Sequence, residues 1–250
     1  MSPRITGAVA VRVLTQLRRD HRTLAMLLVL PMLLMSLLWW MFEDAGPAFD
    51  LVGPALLALF PFTIMFLVTS VTTLRERSSG TLERLLAMPT GKVDFLGGYA
   101  IAFGVVAAVQ SVLAVVLSVW VLDLDVAGPA WMLTVVAVVD AVLGTALGLL
   151  VSAFARTEFQ AVQFMPAVVI PQLLLCGLFV PRSQLPPVLE AISDVLPLSY
   201  AVDAMNSVAQ GTSTGFGGVA SEVWSDIAIV LAFVVACLIL GAATLRRRTA

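Results

Sequence analysis

Charge is what this sequence has least of. Only 12% of its 250 residues are Asp, Glu, Lys or Arg, against about 25% in a soluble domain. It has one histidine, His21, and two cysteines, Cys176 and Cys237, too few for a His/Cys metal cluster. Both cysteines fall in apolar stretches and read as small buried residues rather than a disulfide. No Gly-rich loop ending in Lys-Ser or Lys-Thr is present, so this chain has no P-loop route to ATP hydrolysis. Paired carboxylates and a Ser–His dyad are also missing, which speaks against an intramembrane enzyme. The net charge of −2 offers nothing to nucleic acid.

What fills the chain instead is apolar sequence: 60% of residues are hydrophobic and the mean hydropathy is +1.02. Six long apolar segments stand out, at 24–42, 51–74, 95–122, 126–155, 159–180 and 227–245. A helix crosses the hydrocarbon with about 20 apolar residues, and each segment meets or approaches that length. The expected fold class is an all-α integral membrane protein with six transmembrane helices, forming one transmembrane domain over 1–250. Residues 1–23, 75–94 and 181–226 are left between and beside the spans, too little for a nucleotide-binding or catalytic domain. The N-terminal apolar run is too long for a typical signal peptide and is read as the first span.

Arginine and lysine orient the spans. With a cytoplasmic N-terminus, 13 of the 14 basic residues lie inside and only Arg182 lies outside. The outer pieces carry Glu43, Asp44, Asp50, Asp123, Asp125, Glu190, Asp194, Asp203, Glu222 and Asp226. Both termini are therefore expected in the cytoplasm, with 181–226 extracellular.

Residues 4–22 repeat Ile5, Val9, Val13 and Leu17 at helical spacing. They read as an amphipathic helix on the inner membrane surface, its arginines reaching anionic headgroups; a plain extension of the first span is the alternative. In the fourth segment Asp140, Gly144 and Gly148 share a face, and the two glycines have the small-xxx-small spacing of closely packed membrane helices. Asp140 is thus expected to face protein, as a structural group or as a contact for substrate or protons. Gln110, Gln163 and Gln172 are the other polar positions that belong either to a pathway or to packing.

The inner loop carries the sharpest signal. Gly80 allows a break, Thr81 can cap a short helix, and Glu83 suits its first turn. Leu82, Leu85 and Leu86 share a face, and Pro89 ends the run. This is a two-turn amphipathic helix beneath the membrane whose leucines need a partner, either the membrane surface or a groove on another protein.

The run from Glu76 through Ser79, Gly80, Thr81, Leu82, Glu83, Arg84, Leu85 and Leu86 to Pro89 resembles the inner-loop signature of the ATP-binding-cassette type-2 exporter permeases, nearest the daunorubicin-resistance-type branch. Residues 181–186, followed by 196–203, resemble that family's outer segment before the last span. The chain departs from the family where a basic residue often follows the glycine opening the third span; here Gly97 is followed by Gly98 and Tyr99. The resemblance implies a transmembrane subunit that pairs with a second permease copy or close paralogue. Two separate ATPase subunits would hold the ATP and magnesium, this chain binding no cofactor or metal. The short inner helix would couple them to the membrane. The outer segment would form a helical hairpin before the last span, with Pro186, Pro197 and Tyr200 at an outer gate. The expected activity is export of a lipophilic or amphipathic compound (a drug, antibiotic or lipid). An ion- or proton-coupled carrier is the alternative, and would place ionisable residues at mid-membrane.

Overall fold

The computed structural model describes residues 2–78, 92–211 and 221–244. These residues form helices and connecting turns: α1 (Pro3–Arg19), α2 (His21–Met41), α3 (Ala48–Ser78), α4 (Lys92–Trp120), α5 (Ala130–Ser152), α6 (Glu158–Leu175), α7 (Pro187–Ser193), α8 (Pro197–Ala209) and α9 (Ser221–Thr244). Six of them, α2 to α6 and α9, are long and apolar enough to cross a membrane. The protein is a multi-pass, all-α membrane protein. The chain alternates direction through the spans, so His21, Ser78, Lys92, Ser152, Glu158 and Thr244 mark one end of the bundle and Met41, Ala48, Trp120, Ala130, Leu175 and Ser221 the other. The basic residues of the connections gather at the first end, Arg182 excepted, and most of the acidic ones at the second.

α5 is the central helix, buried on most of its circumference, and α3 is its main neighbour. The two run parallel. Gly144 and Gly148 lie against the backbone of α3 at Phe62 and Phe66; a Cβ on Gly148 would sit 2.6 Å from the Phe66 carbonyl oxygen. Small residues let the two backbones touch, and in a lipid solvent such close packing supplies the association that hydrophobicity cannot. α4 packs on the other side of α5. Ser111 on α4 donates its hydroxyl to the Ala137 carbonyl of α5 at 3.0 Å.

The apolar stripe of α1 is covered by protein. Val9, Val13 and Leu17 are buried in a cluster with Phe95, Leu96, Tyr99 and Phe103 of α4. Gly98 makes this possible, since a Cβ there would meet Val9 Cγ1 at 2.5 Å and the Thr6 carbonyl oxygen at 3.0 Å. Asp94, in the first turn of α4, accepts from the Ser2 backbone N–H (2.8 Å) and the Thr6 hydroxyl (3.2 Å), placing a carboxylate at the positive end of the α1 dipole. Arg4, Arg18 and Arg19 stay on the exposed side. The periodicity located the stripe, whereas its partner is α4 rather than the membrane surface. Asp20 then turns the chain into α2, accepting from the Thr23 backbone N–H at 3.2 Å and its hydroxyl at 2.6 Å.

Two helix ends fall short of their apolar runs. α5 starts at Ala130 because Val126–Pro129 is held elsewhere: the Ala127 N–H donates to the Ala209 carbonyl of α8 at 2.9 Å. α6 stops at Leu175, where Cys176 caps it and Gly177 turns left-handed at φ +93°, a conformation open to glycine at little cost. The chain then passes through a 3₁₀ turn (Arg182–Gln184) into α7 and α8. α8 buries Leu198, Val202 and Met205 against α3, α5 and α9.

Candidate functional site: the root of the inner loop and the acidic end

Most of the expected coupling helix, Ser79, Gly80, Thr81, Leu82, Glu83, Arg84, Leu85, Leu86 and Pro89, lies outside the described residues. Its root does not. α3 has 31 residues, about 46 Å at 1.5 Å per residue, so it outreaches a hydrocarbon core of about 30 Å. Its last turns carry Arg75, Glu76 and Arg77 beyond the apolar part of the bundle. Each ties α3 to a different neighbour. Glu76 pairs with Arg12 of α1, with N–O distances of 3.1 and 3.2 Å, and accepts the Tyr99 hydroxyl of α4. Arg77 donates to the Ser152 carbonyl at the end of α5. Arg75 makes a two-pronged pair with Glu158 at the start of α6, at 3.0 and 3.2 Å.

These contacts differ in shielding. The Glu76 side chain is 14% exposed and Arg12 31%, while Arg75 and Glu158 are 64% and 47% exposed. Solvent screens the second pair, and exposed pairs contribute about 0–1 kcal/mol. The Gly97-Gly98-Tyr99 sequence now has a physical account. Gly98 admits α1 and Tyr99 supplies a hydroxyl to Glu76, so this edge of α4 serves the α1–α3 junction.

The intramembrane polar positions separate into three kinds. Asp140 and Gln110 are fully buried, and neither has a hydrogen-bond partner among the described residues. The Ser111–Ala137 bond sets them at similar depth on adjacent helices, but no hydrogen bond joins them. Gln172 is buried and bonded: its amide donates to the Val168 carbonyl at 3.1 Å and its oxygen accepts from the Leu198 N–H at 3.3 Å. It anchors the start of α8 to α6. Gln163 is exposed on α6.

At the acidic end, Pro186 precedes α7 and Pro197 opens α8, each at a helix start where a missing N–H costs nothing. Tyr200 donates its hydroxyl to the Asp194 carbonyl at 2.7 Å. Ser193, at the end of α7, donates to the Leu175 carbonyl at 2.8 Å and lies 3.0 Å from the Ser199 hydroxyl. Arg182 joins these parts, donating to the carboxylates of both Asp194 and Asp203. Its guanidinium lies 5.1 Å from the centre of the Tyr200 ring.

A comparison with known families decides the membership: the model of the "ABC-2 type transporter" family matches residues 5–209. This chain belongs to the ABC-2 type transporter family. Among curated relatives it is 26% identical over 186 residues to ABC transporter G family member 20 of Dictyostelium discoideum, which covers 74% of this chain and 25% of that protein. It is 26% identical over 157 residues to the Probable multidrug ABC transporter permease YbhR of Escherichia coli (strain K12), 63% of this chain and 43% of the relative. It is 24% identical over 191 residues to the linearmycin resistance permease protein LnrN of Bacillus subtilis (strain 168), 74% of this chain and 48% of the relative. The chain thus spans between a quarter and just under half of these relatives' lengths.

Within this family member the residues that sequence reasoning missed are Arg12, Tyr99, Ser152 and Glu158, which hold the root, and Arg182, which organises the acidic end. Arg182 carried a visible signal as the single basic residue on the acidic side. The partners of the root are up to 83 positions away in sequence, and no local pattern marks them.

Proposed function

We propose that this chain is the transmembrane subunit of an ATP-driven exporter, moving a lipophilic or amphipathic compound outward from the cytoplasm or inner leaflet. The basic end faces the cytoplasm, with both termini there. Two ATPase subunits bind beneath it and supply the ATP and magnesium chemistry. A second permease copy completes the pathway. The segment from Ser79 to Pro89 is the coupling element, and the hairpin of α7 and α8 closes the outer end with Pro186, Pro197 and Tyr200.

The observation that carries the reading is the root. Its three consecutive residues bind α1, α4, α5 and α6, so a displacement of the following segment is passed to four helices at once. A solvated loop has no need of such a junction. The multidrug and linearmycin-resistance names of two relatives favour a drug or antibiotic among the possible cargoes. The low charge inside the spans favours a lipophilic one.

The test places Leu82→Asp, Glu83→Ala and Leu85→Asp in the permease, purified with its ATPase subunits and reconstituted in vesicles. Cargo moved per ATP hydrolysed should fall at least about tenfold, the loss expected when an interface anchor worth more than 1.4 kcal/mol is removed, while the permease stays folded. Unchanged coupling in folded variants would refute the assignment.

A further inference from the structure

Arg182 lies in the connection between α6 and α7, beyond the left-handed turn at Gly177. Its side chain is 16% exposed. One terminal nitrogen reaches Asp194 at the end of α7 and the other reaches Asp203 in the second turn of α8. The guanidinium carbon lies over the Tyr200 ring, whose hydroxyl is itself fixed on the Asp194 carbonyl. One cation therefore touches every part of the hairpin: connection, α7, the α7–α8 turn and α8. Arg is suited to this, because its planar fork serves two carboxylates and still stacks on a ring, which a lysine cannot do together.

The rest of the hairpin's attachment to α6 is slight. Ser193 on the Leu175 carbonyl and Gln172 on the Leu198 N–H are neutral hydrogen bonds. Val188 and Ile192 of α7, and Val195 just after it, are exposed. Cys176 is 1% exposed and packs in one cluster with Leu198 and Val202 of α8. α8 is itself held by the burial of Leu198, Val202 and Met205 against α3, α5 and α9. The loosely held part of the hairpin is therefore α7 with the connection before it, and Arg182 is the charged tie that fastens both to α8.

We propose that Arg182 is the positioning residue that holds α7 and the connection before it against α8, over the end of α6. The structural part stands on these contacts alone. Its consequence for transport rests on the proposed role of the hairpin in closing the outer end: lifting α7 and the connection away from α8 requires the guanidinium to leave Asp203, so the Arg182 contacts set how rarely that end opens.

The two native cysteines provide the assay. The full chain is placed in phospholipid nanodiscs as two single-cysteine forms, Cys237→Ala to report on Cys176 and Cys176→Ala to report on Cys237. Each is treated with a cationic, membrane-impermeant methanethiosulfonate. Arg182→Ala should speed modification of Cys176 by at least about tenfold, the population shift given by loss of one charge-assisted hydrogen bond. Cys237, in the half of α9 nearer the basic end, should change by less than about twofold on the same scale. Asp203→Asn should act in the same direction but less, since the amide oxygen still accepts a neutral hydrogen bond, and Arg182→Lys should fall between wild type and Arg182→Ala. An unchanged Cys176 rate in Arg182→Ala and Asp203→Asn overturns the proposal. So does a parallel rise at both cysteines in all three variants, which would make Arg182 a general stabiliser of the bundle. No ATPase subunit is needed, so this outcome judges Arg182, whereas coupling in the Leu82 and Leu85 variants judges the proposed function.

Discussion

Replacing Glu76 by Gln removes a charge while keeping shape and one acceptor oxygen. The Tyr99 hydroxyl can still donate to it; the pairing with Arg12 becomes a neutral contact. The pair sits between the surface regime, worth about 0–1 kcal/mol, and the buried regime, where losing one partner costs about 3–5 kcal/mol. With side-chain exposures of 14% and 31%, Glu76→Gln should cost about 1–2 kcal/mol. Glu76→Ala should cost more, because the fully buried Tyr99 then loses this acceptor, adding about 1–3 kcal/mol. Thermal unfolding of the purified permease in detergent would read these as falls in Tm of roughly 2–4 °C per kcal/mol. A double-mutant cycle between Arg12→Ala and Glu76→Ala isolates the pair and should give a coupling energy of about 1 kcal/mol, within the range for residues in contact. A coupling energy below about 0.3 kcal/mol, the level of unconnected sites, would refute the idea that Glu76 holds α1 to α3.

Other perturbations test the seam and the buried carboxyl. Gly144→Val sets a branched side chain against the Phe62 backbone; overpacking of this kind costs about 1–3 kcal/mol or more, and Gly104→Val, with only Val142 Cγ2 near at 3.9 Å, should be far milder in the same Tm measurement. Asp140→Asn should leave transport within about twofold and stability little changed, because neither carboxyl oxygen has a hydrogen-bond partner among the described residues for the substitution to remove; complete loss of transport in a folded, assembled protein would place Asp140 in the pathway instead. Glu158→Gln should lower stability by less than about 1 kcal/mol, since its pair with Arg75 is exposed, yet change the ATP cost of transport; an effect on stability alone would remove this pair from the coupling route.

The number and type of the spans were legible because hydrocarbon imposes length and composition on any helix that crosses it. Gly144 and Gly148 were legible for a related reason: small residues four apart have few uses in a membrane other than close approach. What could not be read was the partner of each feature. Ile5, Val9, Val13 and Leu17 announce an apolar stripe equally well whether lipid or α4 covers it, and only Gly98, ninety residues on, distinguishes the two. The end of α6 was hidden because Cys176 to Val180 is as apolar as the helix before it. The stop comes from the left-handed backbone at Gly177, which hydropathy does not register. Tyr99 looked like a departure from the family pattern until Glu76 was seen beside it. Hydrogen-bond partners such as Arg77 and Ser152, 75 residues apart, depend on how helices stack, and composition carries no trace of that.

The contrast between the firm and the weak contacts of the root suggests where motion enters the proposed cycle. α3 and α5 touch backbone to backbone along Gly144 and Gly148, and Arg77 fastens the same pair at the basic end. Glu76 adds α1 and α4 through shielded contacts. A push on the segment after Ser78 therefore moves α1, α3, α4 and α5 together. α6 stands apart. It meets the root through the screened Arg75–Glu158 pair, much of its surface is exposed, and prolines at 166 and 171 interrupt its hydrogen-bond ladder. Its far end is joined to the bundle through Gln172, Ser193 and the hairpin that Arg182 gathers. Of the helices the root touches, α6 is the one whose displacement breaks the fewest strong contacts, and displacing it disturbs the hairpin at the opposite end. Work delivered at the basic end would thus reach the acidic end through α6, as the block built on the α3–α5 seam shifts as one unit against it.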